Sequence, residues 1–437
     1  MSADTLALLG GTPVIDAPLA PYRSMGVAER QAVLDVLESD CLSGFYGSPG
    51  PEFMGGPRVR DFEERWAAHV GARHAISVNS ATSGLIAAMG AVGISPGDEV
   101  IVPPTTMSAT VMAPLFYGGI PVFADIEDVT FCLDPASVRD AITPRTRAIC
   151  AVNLFGHPAR LAELRALADR HGLWLIEDSS QAPTASEHGR RAGTIGHVGV
   201  FSLNYHKHIH TGEGGVCVTD DDTLAQRLAL IRNHGENCVE GFGLADLTNM
   251  AGYNFRLTEL QAAIGLAQLE RIETHVVARE ILAQALTKAA AGMPGLTPPA
   301  VRDGCRHNYY CWTATFDAAA FGASRDAFSA ALAAEGFPHF TGYVAPLYRL
   351  PLFRERKAIG RDGFPFTLSN RHYDDGLCPV AERLWREAFL LFEPCAWAVD
   401  DSTAPRLARA LHKVAASANA LARWDAARAP SGTPPAA

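Results

Sequence analysis

No run of about 18 apolar residues occurs anywhere in this 437-residue chain, so no membrane-spanning helix is expected. Clustered positive charge is also missing. Thirty-seven basic side chains stand against 47 acidic ones, a net charge of −10, and phosphate contacts need concentrated Lys and Arg. Nucleic acid is therefore not expected as a partner. The opening residues MSADTLALLGGTPV have no basic n-region and too short an apolar stretch for a secretory leader. Nine cysteines are scattered with no Cys-x-x-Cys pair, the pattern of reduced thiols in a cytosol rather than of a disulfide framework or a zinc site. A cytoplasmic protein is the expectation. No G-x-G-x-x-G follows a strand-like run, which discourages a nicotinamide dehydrogenase. Internal repeats are absent.

What remains is ordinary globular composition, 48% hydrophobic and 19% charged, in a chain long enough for a large α/β domain with a smaller appendage. An N-terminal segment carries helical spacing from Ala28 to Leu37, then a glycine-rich loop from Gly44 to Gly56. After Arg58, apolar strands (AISV, EVIVPP, PVFADI, AICAVNLFG, WLIED) alternate with helical stretches. That alternation predicts a mostly parallel sheet wrapped by helices, with ligands at the carboxyl ends of its strands. The rhythm then changes to FSLNYHKHIHTGEGGVCVTD, two strands joined by a polar loop. Helices are predicted over Asp221–Asn233, Glu259–Glu270 and His275 to about Ala290, with a linker over Gly292–Pro299. The expected division is 1–290 for the N-terminal segment and large domain, 291–425 for a small α/β domain, and 426–437 for a disordered tail.

Three segments carry the chemistry. Lys207 follows a strand and precedes Gly212-Glu213-Gly214-Gly215, well placed to form an imine with an aldehyde cofactor, while Ser202 can contact a phosphate on the same cofactor. Asp178 ends the strand WLIED, where a carboxylate can pair with a protonated pyridine nitrogen and keep the ring an electron sink. Capping the next helix is the other use for such an aspartate. Thr82 and Ser83 open a helix after Val78-Asn79-Ser80, where hydroxyls and backbone N–H groups can hold a phosphate or serve as ordinary caps.

In this order and spacing the segments resemble the DegT/StrS-type sugar aminotransferases, within the fold-type-I pyridoxal-phosphate enzymes. The resemblance runs from about Leu6 to Trp397 and includes GDEVIVPP with a following T-x-x-A-T, PVFADI, NLFGHPA, GYNFRLTELQAAIGLAQL and CPVAERL. It implies a three-layer α/β large domain with a mixed, mostly parallel seven-stranded sheet, and a smaller C-terminal α/β domain. It also implies transfer of an amino group from glutamate or glutamine to a keto-sugar or cyclitol ketone, in amino-sugar, antibiotic or polysaccharide biosynthesis. Carried over residue by residue, Lys207 becomes the Schiff-base lysine and Asp178 the partner of the pyridine nitrogen of pyridoxal phosphate. Gln181 reaches the ring hydroxyl, and Thr82, Ser83 and Ser202 bind the phosphate. Asn254 reaches the phosphate of a neighbouring subunit, which implies a homodimer with shared active sites.

Three departures from the family pattern stand out. Ser-Gly-Thr reads Ser80-Ala81-Thr82. The ring-stacking position, usually aromatic, is Met107, which offers a polarizable thioether instead. His206, His208 and His210 alternate around the lysine; on one strand face they would suggest a metal site, but orienting substrate or facing solvent suits them as well, and no metal is assigned. Tyr205, His206, His307, Tyr309, His339 and Tyr343 are candidate substrate contacts. A pyridoxamine-dependent sugar dehydratase, a relative in which histidine typically replaces the lysine, and a non-catalytic cofactor-binding sensor are the alternatives.

Overall fold

The computed structural model describes residues 5–428. Apolar runs of four to seven residues become seven strands: β1 (His74–Val78), β2 (Glu99–Val102), β3 (Ile120–Phe123), β4 (Thr146–Val152), β5 (Trp174–Asp178), β6 (Val198–Ser202) and β7 (Gly215–Thr219). They pair in the order β1-β7-β6-β5-β4-β2-β3. Every pair from β6 through β3 is parallel, and β7 alone runs against its two neighbours. Because β7 is inserted antiparallel between β1 and β6, those two strands point the same way. Val78 and Ser202 both pair with Gly215, so the carboxyl ends of β1 and β6 meet at one edge. Near-continuous apolar strands of this kind need cover on both faces, and two cores supply it. One lies against α3 (Ala81–Ala91), α4 (Leu161–His171) and α5 (Asp222–Arg232). The other joins α2 (Pro57–Val70) and α6 (Glu259–Leu269), on which α1 (Val27–Glu38) packs, to β6 and β7 through Phe62, Trp66, Phe201 and Val216.

A third core belongs to a four-stranded antiparallel sheet in the C-terminal part, built from Leu296–Thr297, Trp312–Phe316, Phe389–Phe392 and Phe340–Thr341. The N-terminal segment, which chain order groups with the large domain, packs Leu6, Ile15 and Leu19 into this core. Its backbone is tied there as well: the N–H groups of Ala7 and Val14 donate to the Glu335 carboxylate at 2.8 and 2.9 Å. The helix expected from His275 begins earlier and runs as α7 (Ile272–Ala290). Its first turns enter the core beneath β6 and β7, and its last turns, Leu282 to Ala290, enter the third core. Nor is the stretch expected as a linker free. Leu296 is buried and pairs with Phe316, which makes Leu296–Thr297 the edge of the small sheet. Of the tail expected over 426–437, residues 429–437 lie outside the described residues, and Ala426 ends the last helix.

Candidate active site

The carboxyl edge of the large sheet opens into a cavity of about 700 Å³, within the range of small-molecule sites. Its wall includes Thr82, Met107, Asp178, Gln181, Ser202 and Lys207. Each side chain is there because its strand ends there.

At β1 the chain leaves the sheet through Asn79 and turns into α3. Ser80 has extended backbone angles and caps the helix, its Oγ accepting from Ser83 N at 3.0 Å. The Ser83 hydroxyl donates to Asn79 Oδ1 at 2.6 Å, so Ser83 is committed to the turn and does not line the cavity. The N–H groups of Ala81 and Thr82 have no acceptor among the described residues and stand at the positive end of the helix. This approach of helix to sheet depends on two missing side chains. A Cβ on Gly215 would lie 2.6 Å from Ala81 N, and one on Gly84 would lie 2.8 Å from Val200 Cγ1.

At β5 two adjacent carboxylates have opposite fates, because successive strand residues face opposite sides. Glu177, fully buried, accepts from the N–H groups of Gly193, Ile195 and Gly196 and from Asn153 Nδ2, and so pins a loop. Asp178, 4% exposed, faces the cavity. Thr110 Oγ1 donates to its Oδ2 at 2.7 Å and Ser180 N to its Oδ1 at 3.1 Å. Three residues on, Gln181 Oε1 accepts from Phe155 N at 2.6 Å and Nε2 donates to the Tyr343 hydroxyl at 3.3 Å. Phe155 and Tyr343 both hold left-handed backbone angles, with φ of 58° and 60°. Such conformations gather at sites where the surroundings over-determine them.

At β6, Ser202 Oγ accepts from Asn204 N at 3.3 Å and keeps its own proton free to donate. Lys207 sits on the turn that follows, its N–H bonded to Asn204 O at 3.0 Å. No hydrogen bond or ion pair among the described residues holds its Nζ, which lies 4.4 Å from the centroid of the Tyr310 ring. Burial holds the lysine below its ordinary pKa, against the opposing pull of Asp178.

The segment around Lys207 is a series of turns, so alternation does not give the three histidines a common face. His206 lines the cavity, and burial pushes its pKa down to about 4, leaving it neutral at physiological pH. His208 is buried with Nε2 on Asn308 O, and His210 bonds Ser24 Oγ. Among the described residues no three His, Cys, Asp or Glu side chains gather as metal ligands. Of the other candidate contacts, Tyr343 lines the cavity and four do not. Tyr205 is 69% exposed and points outward. His307 and Tyr309 are buried, stacked on each other with centroids 3.9 Å apart, Tyr309 in the core of the small sheet. His339 is held by Ser329 and by Phe337 O. It is the next residue, Tyr310, that enters the cavity. The stretch ahead of the Trp312–Phe316 strand is irregular, with Tyr309 in a left-handed conformation (φ of 50°), and there Tyr309 enters the core of the small sheet and Tyr310 the cavity; nothing in HNYYCW marks that turn. Thr110 was also missed, 68 residues from the carboxylate it serves. Asn254 stands outside the cavity lining, exposed, on a segment bridged to Asn233.

The donor set suits pyridoxal phosphate. Free N–H groups and hydroxyls at a helix start match a phosphate, a buried carboxylate matches a ring nitrogen, and an unbonded amine matches an aldehyde. The chain's relatives agree. An L-glutamine:2-deoxy-scyllo-inosose aminotransferase of Streptoalloteichus tenebrarius is 35% identical over 94% of this chain and 97% of its own length. A dTDP-3-amino-3,4,6-trideoxy-alpha-D-glucose transaminase of Streptomyces venezuelae is 36% identical over 78% and 84%. The crystal structure of S. venezuelae DesV in complex with a ketimine intermediate superposes with a TM-score of 0.77 at 31% identity, over 91% of this chain and 99% of that one. Residues 47–382 match the DegT/DnrJ/EryC1/StrS aminotransferase family, and to that family of fold-type-I, pyridoxal-phosphate-dependent enzymes the chain belongs.

Proposed function

We propose that this enzyme moves an amino group from glutamine or glutamate to the ketone of a cyclitol or keto-sugar, in amino-sugar, antibiotic or polysaccharide biosynthesis. The observation that carries the reading is an unbonded, half-buried lysine sharing one cavity with a buried carboxylate. Among acceptors a cyclitol ketone is favoured, with glutamine as donor. The inosose aminotransferase aligns nearly end to end with this chain, whereas the nucleotide-sugar transaminase aligns over 78% of it. His206, Asn204 and Tyr343 give the cavity the polar groups that a polyhydroxylated acceptor needs.

Bound pyridoxal phosphate supplies a carbonyl to receive the amino group and a cationic ring to withdraw electrons. Lys207 would hold it, with Asp178 keeping the ring nitrogen protonated and Gln181 reaching the ring hydroxyl. Thr82, Ser202 and the free N–H groups of Ala81 and Thr82 would take the phosphate, and Met107 would flank the ring. Thr110 and Ser180 fix the Asp178 carboxylate so that it does not reorient as charge develops. Nζ of Lys207, made less basic by burial, takes a proton from the carbon bearing the donor's amino group and later returns one at the acceptor carbon. Lys207 is the one cation among the lining residues. The exposed side chain of Asn254 would add a further neutral donor to the phosphate, which supports a homodimer in which it reaches the neighbouring site. Nine unpaired thiols support a cytoplasmic location.

The test incubates cofactor-loaded enzyme with glutamine or glutamate and a panel of inososes, free keto-sugars and nucleotide-linked keto-sugars, with products read by mass spectrometry. Amination of an inosose is expected, and Lys207→Ala abolishes it. Amination of simple α-keto acids alone overturns the reading in favour of an amino-acid aminotransferase.

A further inference from the structure

Lys207 is caught between two demands. Between the two halves of the proposed transfer its amine is free and takes up a proton, yet no hydrogen-bond acceptor among the described residues holds Nζ. What lies beneath it is the face of Tyr310, a buried ring 4.4 Å away. The ring sits at the start of the Trp312–Phe316 strand of the small sheet. Behind it, the neighbouring strand Phe389–Phe392 is followed by Glu393, whose pKa burial raises above the ordinary value against the opposing pulls of Tyr310 and Lys207. An aromatic face attracts an ammonium without binding it at one angle, and the attraction grows where water is excluded.

We propose that Tyr310 is the positioning residue of Lys207: its ring seats the free ammonium and keeps the amine basic enough to take up the proton it later returns, while leaving Nζ unanchored. The inference rests on the assignment of Lys207 as the proton carrier. A carboxylate in the same place would hold the ammonium too firmly for it to swing between donor and acceptor carbons. An aliphatic side chain would leave desolvation unopposed. The other groups that face Lys207 are Asp178 on β5, Cys311 beside Tyr310, Glu393 and Cys395 after the strand Phe389–Phe392, and His206 and His208 on its own turn. The two histidines are held neutral by burial, with pKa values of about 4 and about 3, so near neutral pH they do not contribute titrating charge.

The chain contains only four lysines, Lys207, Lys288, Lys357 and Lys413, so each can be followed separately. Competitive acetylation of the cofactor-free, full-length protein across pH, read peptide by peptide, gives the pKa of Lys207, with Lys288 and Lys357 as exposed references. Tyr310→Leu is expected to lower it by about one unit, a tenfold loss of proton affinity. Tyr310→Phe, which keeps the ring, is expected to stay within about 0.3 unit of the parent. Tyr310→Met provides the ringless variant should leucine fail to fold. An unchanged pKa in the ringless variant overturns the proposal. So does a phenylalanine variant that falls as far as the ringless one, because the hydroxyl and not the ring would then be responsible. The titration needs no turnover, so a failed acceptor panel and a failed Tyr310 assignment are separate results.

Discussion

Asp178 and its neighbour Glu177 show how far chemistry is decided by single positions. Both are acidic, adjacent and buried, yet one closes a loop and the other faces the cavity. Asp178→Asn is expected to retain cofactor and to lose about 10²–10³-fold in turnover, because a neutral partner no longer holds the ring nitrogen protonated. Thr110→Val removes one donor to the same carboxylate and leaves its charge, so its loss is expected to stay below about tenfold. Single-turnover rates, followed by the absorbance of the cofactor, separate the two. Near-equal losses would mean that Asp178 acts by geometry and not by charge. At this scale the sequence was readable wherever an apolar run stops on a polar residue, as at Asp178 and Ser202. It was not readable for Tyr310, Thr110 or Glu393. These reach the site from remote segments, and their local patterns are those of a strand, a short helix and a strand end. Tyr309 in place of Tyr310 is an error of one position, since the backbone turns at Tyr309, with φ of 50°, and no local pattern says which tyrosine faces the cavity.

Among the elements, α2, β1 and α5 are joined by one buried ion pair. Glu63 on α2 accepts from Ser77 N and Oγ on β1, and from Arg232 at the end of α5. Arg232 is fully buried, and its ring neighbour is Phe45 at 4.7 Å. Arg232→Met leaves the Glu63 charge without its partner and is expected to cost roughly 3–5 kcal/mol, while Glu63→Gln combined with Arg232→Met recovers most of that loss. Thermal melts of the single and double variants check it, and equal melts would mean that solvent already screens the pair. Glu99, the first residue of β2, behaves differently. Burial raises its pKa, but bonds from Arg371, Thr143 and Arg145 outweigh burial and bring it below the ordinary 4.5. A lowered folded value means that the carboxylate contributes stability above pH 4.5 and loses it as pH falls through the folded value. Glu99→Gln is therefore expected to be less stable than the parent at pH 7 and to converge with it below about pH 4. Melting temperatures from pH 3 to 7 test this, and a constant gap across that range would count against it. The elements themselves were largely legible. Strand–helix alternation gave the parallel sheet, and Lys207 was placed correctly after a strand. The reading failed where packing overrides local composition, as at Gly292–Pro299, whose glycine and proline suggest a linker but whose Leu296 is buried in a sheet edge.

For the whole molecule, the open question is how many chains make one site. Asn254 is exposed and stands outside the lining of the cavity that its own chain builds, with its carbonyl accepting from Asn79 beside the β1–α3 turn. If sites are shared, mixing Lys207→Ala with Asn254→Ala chains gives hybrid dimers in which one site carries both defects and the other carries none. Random pairing makes half of the dimers hybrid, so activity is expected to recover to about a quarter of the parent's. Recovery would not occur if each chain completed its own site. Chain order misleads at this scale, since the N-terminal segment belongs to the core of the C-terminal sheet through Leu6, Ile15 and Leu19. No local pattern in those residues names the partner 300 positions away.

The helix α7 joins the core beneath β6 and β7 to that of the small sheet on a single 19-residue rod, about 28 Å long. The cavity has one wall on the large sheet, at Asp178 and Lys207, and another on segments that continue into the small sheet, at Tyr310 and Tyr343. The gap between those walls is spanned by a rod embedded at both ends, so widening it means bending a helix rather than turning a hinge. On that geometry an acceptor one ring too large is expected to be refused by the stiffness of a backbone that never touches it, a ruler more than a grip.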